Sequence, residues 1–200
     1  ILFWPFLWAN PINNFLEVFH SMSNFHWGGY NLYFGEYILG SHLPWHYVFV
    51  WIGITTPIFY LFLFLIGFFL ISLRIKRRIF NIKNESQNND IWNGDNELQD
   101  LINYLILALP IFFVISLNST LYDGWRHLYF IYPSFLYISL KGLYLINISF
   151  FKKSPWVVFC FTIPFLLHIG YQMVKDHPHQ NVYFNFFAGN NTHLKFEVDY

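Results

Sequence analysis

Apolar residues along this chain are collected into long blocks that are separated by polar links. Four blocks, taken with their flanks, occupy residues 48–73, 101–118, 127–147 and 156–173. A helix that crosses a bilayer needs about 20 apolar residues, within a range of about 17–25. The blocks therefore predict four transmembrane helices, the last of them only just long enough. Residues 1–9 have the pattern expected at the end of an earlier span.

The links between the blocks must lie on alternate sides of the membrane, because successive spanning helices cross it in opposite directions. One side receives the loop 10–47, the turn 119–126 and the segment 174–200, and the other side receives the links 74–100 and 148–155. The two latter links carry these basic residues: Arg74, Lys76, Arg77, Arg78, Lys83, Lys152 and Lys153. Positive residues near the ends of spans favour the cytoplasm. We therefore predict a multi-pass protein of the inner or plasma membrane, with the other three segments facing outward.

The outward segments contain shorter patterns that predict ordered structure. Phe15, Phe19 and Met22 have the spacing of one helix face, which predicts a short amphipathic helix at the membrane interface. The glycines of "HWGGYNLYFGEY" favour a turn and an extended stretch. Residues 181–187 alternate enough to predict a strand, and "AGNN" after them predicts a turn. The expected fold class is an all-α integral membrane bundle, with a long structured outward loop and a short mixed C-terminal outward segment.

Composition narrows the possible functions. Only 11% of the residues are charged, whereas about 25% is typical of soluble domains. The net charge is zero, which excludes the basic excess of a nucleic-acid-binding protein. The single cysteine, Cys160, lies inside an apolar block and predicts a buried small side chain, not a disulfide. The expected partner is therefore membrane lipid.

Ionisable and aromatic side chains collect in the outward segments and at the outward end of the third block. These parts hold eight of the nine histidines: His20, His26, His42, His46, His127, His177, His179 and His193. Asp123, Arg126 and His127 lie together between the second and third spans. Arg126 begins the next helix, and the forked donors of an arginine at a helix start suit a phosphate group. We predict a phosphate site there, with Asp123 orienting Arg126 and with His127 or His177 adding donors. The alternative is a surface ion pair between Asp123 and Arg126.

Other outward residues are candidates for contacts with an acceptor or a sugar. Glu17 and Glu36 are carboxylates of the first loop, and Trp45 and His46 lie just before the first span. A tryptophan at that position can instead anchor the chain at the membrane interface. His42 and His46 have the spacing of two metal ligands on a helix, but the proline between them disfavours a helix. We therefore predict no metal site, while the need for a divalent metal stays open.

The motif "LYDGWRHLYFIYP", followed by "HPHQNVYFNFFAGN" and "FEVDY", resembles a bacterial branch of the polytopic glycosyltransferases. This branch is related to the dolichyl-phosphate-mannose protein mannosyltransferases and to the lipid A sugar transferases. The stretch "LGSHLPWHYVFVWIGITTP" is similar to the same branch, where a proline–tryptophan stretch precedes the next span. The resemblance extends over nearly the whole chain.

The resemblance implies a GT-C fold with an active site on the outward face. It implies a hexosyltransferase, mannosyltransferase-like, that uses a polyprenyl-phosphate-linked sugar as donor. We expect no covalently bound cofactor. In this family the catalytic carboxylate lies in the first outward loop of the whole enzyme, near its N-terminus. We therefore expect the carboxylate upstream of Ile1, and we expect residues 1–200 alone to be inactive. Two alternatives stay open: a non-catalytic scaffold or accessory subunit, and a secondary transporter.

Overall fold

The computed structural model describes residues 4–23, 27–81, 91–150, 154–178 and 183–196. This part of the chain is mostly helical. The α-helices are α1 (Pro11–Ser23), α2 (Tyr47–Thr55), α3 (Ile58–Asn81), α4 (Gly94–Ser116), α5 (Tyr132–Ser149) and α6 (Pro155–Lys175). The strands are β1 (Tyr30–Tyr33) and β2 (Glu36–Leu39). Short 3-10 helices cover Pro5–Leu7, Arg126–Ile131, Phe186–Ala188 and Thr192–Leu194.

Four helices are long and apolar enough to cross a membrane: Ile58–Phe80, Gly94–Ser116, Arg126–Ser149 and Trp156–Lys175. They coincide with the four apolar blocks of the sequence, so the prediction of an all-α membrane protein is confirmed at this level. The third span joins the 3-10 helix Arg126–Ile131 to α5. The fourth, α6, presents most of its apolar side chains outward, as a helix surrounded by lipid does. Cys160, expected to be buried, is exposed on this helix.

The sequence predicted one helix over residues 48–73, but the first block forms two helices. Helix α2 ends at Thr55 and α3 begins at Ile58. Pro57 lies between them, and Thr56 before it is extended, with φ −99° and ψ 138°. A proline has no N–H to donate and disfavours the helical conformation of the residue before it. Both halves are apolar, so hydropathy alone does not reveal the break.

The predicted loop 74–100 is also shorter than expected. The basic residues that begin it lie on the last turns of α3, which continues to Asn81. Helix α4 begins at Gly94, so Glu97 and Asp100 are helical. Residues 82–90, including Lys83, lie outside the described residues. Lysine and arginine are good helix formers, so a run of them extends an apolar helix past the hydrophobic block.

Helices α3 and α5 form the centre of the bundle and run in the same direction. The rings of Phe64 and Phe135 stack at 4.3 Å, and the backbones touch where Gly67 meets Gly142. A Cβ at Gly67 would collide with the carbonyl oxygen of Ile138, and one at Gly142 would collide with that of Leu63. Small residues allow such close approach of membrane helices. This crossing fixes the distance between α3 and α5.

A buried ion network joins α3, α4 and α5 near one end of the bundle, called here the basic end. The Asp100 carboxylate is fully buried and accepts from Arg74 at 2.6 Å, while Lys141 Nζ lies 3.2 Å from its other oxygen. The Tyr137 hydroxyl donates to the same carboxylate at 2.7 Å. Arg78 forms two hydrogen bonds with Glu97, at 3.1 and 3.2 Å. The sequence placed Asp100 in the link 74–100, whereas in the structure its carboxylate joins three helices inside the bundle.

The opposite end carries a β-hairpin and is called here the hairpin end. Strands β1 and β2 are antiparallel, with Tyr33 opposite Glu36. Phe34 and Gly35 make the turn with φ of 53° and 87°, a conformation that glycine adopts without strain. Asn31, fully buried, donates to the Leu121 carbonyl at 3.0 Å. The hairpin is thereby fixed to the turn between α4 and α5.

The predicted amphipathic helix is confirmed as α1, Pro11–Ser23. Its apolar side chains are exposed: Ile12, Phe15, Leu16 and Phe19. Asn14 on the same helix donates to the Phe6 carbonyl at 2.5 Å and ties α1 to the preceding 3-10 helix. An exposed apolar face of this length suits an interface between water and lipid.

The C-terminal segment departs from the predicted strand over 181–187. Among its described residues, Tyr183 and Phe184 have no regular structure and Phe186–Ala188 is a 3-10 helix. The predicted "AGNN" turn is confirmed, with φ of 73° at Gly189 and 58° at Asn191. Isolated pairing occurs instead between Phe196 and Tyr33 of the hairpin. The strand fails because Asn185 uses its backbone and side chain for other contacts.

Asn185 closes the break between α2 and α3. Its Nδ2 donates to the carbonyls of Gly53 and Thr56, both at 2.6 Å, and its backbone N–H donates to the Ile54 carbonyl at 2.8 Å. Helix ends leave such carbonyls without intrahelical partners. One buried asparagine therefore satisfies the end of α2 and fixes the C-terminal segment to the bundle.

Asn185→Ala is expected to lower the free energy of unfolding by about 1–3 kcal/mol, because buried carbonyls lose their donor. Unfolding of the purified protein in detergent micelles, followed by circular dichroism, measures this change. Asn190→Ala is the control, since Asn190 is exposed in the same segment. Equal stability of the two variants would contradict the role given to Asn185.

Candidate functional site

Two regions at the hairpin end bring together ionisable and aromatic side chains that could bind a ligand. The first contains the predicted cluster of Asp123, Arg126 and His127. Asp123 and Gly124 have φ of 53° and 70° and turn the chain sharply. Arg126 begins a 3-10 helix, as predicted. Its Nη2 lies 2.6 Å from Asp123 Oδ2, with the two side chains 42% and 26% exposed. The ion pair considered for these residues is therefore present, and it orients the guanidinium.

Aromatic rings surround this pair. The Tyr122 ring stacks on Trp27 at 4.7 Å and meets the His127 ring edge-on at 4.4 Å. The guanidinium of Arg126 lies 5.1 Å from the Tyr122 ring centre. We call Trp27, Tyr122, Asp123, Arg126 and His127 the polar cluster. Trp27 belongs to the segment 10–47, so the fold brings two distant segments together here.

Trp125 connects the polar cluster to the helix break. Its indole N–H donates to Thr55 Oγ1 at 3.0 Å, and Thr55 in turn donates to the Trp51 carbonyl at 2.7 Å. Trp51 is fully buried at the centre of this end of the bundle. The position of the polar cluster is thus set by the same break that Asn185 closes.

The second region is a cleft of about 1130 Å³ between α6 and the ends of α3 and α5. Phe161 and Phe165 of α6 face Phe59 of α3 along it, with Phe59 and Phe165 stacked at 4.2 Å. Ionisable and polar groups also line it: His168, Gln172, Lys175, Asp176 and Tyr183. Its walls are therefore apolar along the helices and polar near the C-terminal segment.

The polar part of the cleft contains one carboxylate and one ammonium from neighbouring residues. Asp176 ends α6 and is half-buried, whereas Lys175 is exposed. Burial, together with the nearby carboxylate of Asp176, raises the pKa of the Tyr183 hydroxyl. Tyr183 therefore stays protonated at neutral pH and can act there as a hydrogen-bond donor.

The predicted site residues lie on several different elements of the fold. Asp123, Arg126 and His127 are together, but none of them lines the cleft. The remaining candidates lie on other elements: Glu17 exposed on α1, Glu36 exposed at the start of β2, Trp45 68% exposed, His46 half-buried before α2, and His177 exposed after α6. His26 and His179 are outside the described residues.

Lys175, Asp176 and Tyr183 were missed as site residues by sequence reasoning. The available signal was the change from apolar to ionisable residues at the end of the fourth block. That signal shows where a helix leaves the membrane, but it does not show that the helix end faces a cleft. Within the described ranges, no group of three histidine, cysteine or carboxylate side chains is placed to hold a metal ion.

Comparison with known proteins gives no relative. No protein-family model, no curated protein and no solved structure matches this chain. Functional inference consequently depends on the cleft, the polar cluster and the sequence motifs.

Proposed function

We propose that this chain acts in a membrane glycosyltransferase of the GT-C type, which moves a hexose from a polyprenyl-phosphate-linked donor to an acceptor on the outward face. The observation that carries the proposal is the cleft beside α6, apolar along the helices and ionisable at the hairpin end. A lipid-linked sugar is likewise apolar at one end and polar at the other, since it has a long hydrocarbon chain followed by a phosphate and a sugar ring. The motifs around Asp123 and His177 support the same family.

The apolar part of the cleft suits the lipid of such a donor. Along α6 the whole lining runs from Phe161 to Lys175, over about 21 Å at 1.5 Å per residue, and its ionisable groups lie from His168 onward. The hydrocarbon core of a bilayer is about 30 Å thick. A hydrocarbon chain in the cleft would therefore have protein on one side and bilayer lipid on the other, with its phosphate at the outward surface.

The polar part of the cleft offers groups for the transfer reaction. Loss of a polyprenyl phosphate needs a cation or hydrogen-bond donors near the departing oxygen. Lys175 is a cation that no carboxylate pairs with among the described residues, and His168 and Tyr183 add hydrogen-bonding groups. We assign the donor phosphate to Lys175. Asp176, the carboxylate of the cleft, faces the same space and suits contacts with sugar hydroxyls.

Arg126 is the rival phosphate ligand, predicted from the sequence. Its charge is already compensated by Asp123, and it lies outside the cleft lining. A guanidinium has five N–H donors, so those not used by Asp123 stay available. The polar cluster, with the Trp27 and Tyr122 rings, suits an acceptor or sugar ring that stacks on aromatic faces. We place the acceptor there.

Lys175→Ala is expected to weaken binding of polyprenyl phosphate roughly tenfold, because an ionic hydrogen bond to the phosphate is lost. Retention of the radiolabelled lipid by the protein in lipid nanodiscs measures this change, and the matching polyprenol, without phosphate, is the reference ligand. Arg126→Ala is the matched variant at the polar cluster. A tenfold loss in Arg126→Ala with none in Lys175→Ala would move the phosphate to the polar cluster.

The proposed activity itself is tested by transfer. Because the resemblance predicts that the first outward loop of the whole enzyme carries the catalytic carboxylate, the assay uses membranes that contain this chain together with that loop. They are incubated with a polyprenyl-phosphate-linked radiolabelled mannose, and the label that leaves the lipid fraction is measured. We expect release above that of membranes without the protein. Absence of both release and polyprenyl-phosphate binding would reject the glycosyltransferase and favour the scaffold alternative.

A further inference from the structure

A second large cavity lies on the other side of α3 from the cleft, and we call it the groove. Its volume is about 880 Å³. Helices α2, α3 and α4 form its walls, with Val50, Leu61, Phe64, Phe68, Leu107 and Ile111 among the lining residues. The C-terminal segment lines its hairpin end through residues 187–189 and 195–196.

The groove has the chemistry of a hydrocarbon site. Along α3 its lining runs from Leu61 to Phe68, over about 10 Å at 1.5 Å per residue. Gly53 lines the groove. A Cβ at that position would have no atom within 4 Å, so the groove is open beside this glycine. Water in such a cavity would find few polar partners. In a bilayer, an acyl chain of a lipid can occupy the groove at little cost in free energy, because both are apolar.

Lys195 is the one ionisable side chain in the lining of the groove that the structure describes. Its backbone is fixed, because its carbonyl accepts from Gly35 N–H at 3.1 Å and its N–H donates to the Thr192 carbonyl at 3.0 Å. No carboxylate pairs with its ammonium group within the described part of the chain. A cation therefore lies at the hairpin end of an apolar groove, with no carboxylate paired to it among the residues that the structure describes.

We propose that the groove binds an anionic phospholipid, with an acyl chain between α2, α3 and α4 and the phosphate at Lys195. The charge of Lys195 selects an anionic headgroup over a neutral one. The groove differs from the cleft, because its described lining contains no carboxylate or histidine to recognise a sugar. The lipid in the groove is consequently a structural ligand that packs α2 and the C-terminal segment together, separate from the proposed donor.

The test measures which lipids stay with the purified full chain. Native mass spectrometry of the protein in detergent, after addition of phosphatidylglycerol or phosphatidylcholine in equal amounts, gives the retained fraction of each. We expect retention of phosphatidylglycerol about fivefold above phosphatidylcholine, as one lysine at a membrane surface provides. Lys195→Ala removes this preference, and Lys195→Arg keeps it.

A matched pair of glycine substitutions tests the apolar part. Gly53→Phe fills the groove and abolishes retention of both lipids. Gly170→Phe is the control, because Gly170 is also helical, with open space around it, and does not line the groove. The thermal midpoint in lipid-free detergent checks that both variants fold. If Gly53→Phe does not fold, Lys195→Ala decides the proposal alone.

Three results would overturn the proposal: equal retention of the two phospholipids, unchanged retention in folded Gly53→Phe, or displacement of phosphatidylglycerol by equimolar polyprenyl phosphate. The last result would make the groove the donor site. The glycosyltransferase proposal is tested separately, since Lys175 lies in the cleft and does not line the groove.

Discussion

Replacement of Asp100 by alanine is expected to lower the free energy of unfolding by about 3–5 kcal/mol, since it leaves buried charges without their partner. Asp100 is fully buried and faces Arg74 and Lys141, whose side chains are 31% and 19% exposed. Without the carboxylate the two cations repel each other inside the bundle, and the Tyr137 hydroxyl loses its acceptor. Unfolding in mixed detergent micelles, followed by circular dichroism, gives the size of the loss.

The control for this prediction is Asp95→Ala on the same helix. Asp95 is exposed in the first turn of α4, where a carboxylate contributes about 0.3–1 kcal/mol through the helix dipole. Asp100→Asn adds a second comparison, because it keeps the shape and an oxygen for Tyr137 while it removes the charge. If the Asp100→Asn variant were as stable as the unmodified protein, the shape of this side chain, and not its charge, would join the three helices.

Gly67→Ala and Gly142→Ala are each expected to destabilise the protein towards the upper end of the roughly 1–3 kcal/mol typical of overpacked interiors. Either added methyl group meets a backbone carbonyl of the facing helix, which cannot move aside as a flexible side chain can. The helices must separate, and contacts such as the stacking of Phe64 on Phe135 are weakened along their length. The same micelle unfolding experiment measures both variants.

Gly170→Ala separates this steric effect from helix propensity. Its Cβ would meet no atom within 4 Å, so alanine there should stabilise α6 by up to about 1 kcal/mol. The double variant of Gly67 and Gly142 should cost less than the sum of the single variants, because the first methyl group already separates the helices. Additive losses would mean that the two glycines act at independent sites.

The sequence predicted the helical elements well because hydropathy reports them directly. Four apolar blocks became four helices that can cross a membrane, and the face of Phe15 and Phe19 became α1. The predicted strand over 181–187 was wrong in its described part, because alternation cannot show that Asn185 will donate to another helix. Asp123 and Arg126, near each other in the sequence, form the ion pair that was one of the two interpretations of these residues, whereas the position of Lys175 beside a cleft depends on how α6 packs.

Local composition by itself determined that this chain enters a membrane and which of its links carry charge. A helix in lipid satisfies its own backbone hydrogen bonds, so its existence needs no knowledge of neighbours. Tertiary structure alone decided the contact of Gly67 with Gly142, the burial of Asp100 and the two cavities beside α3. Each of these joins residues far apart in the chain, as Asn185 and Gly53 are, 132 positions from one another. Their energies exist only once the helices have packed.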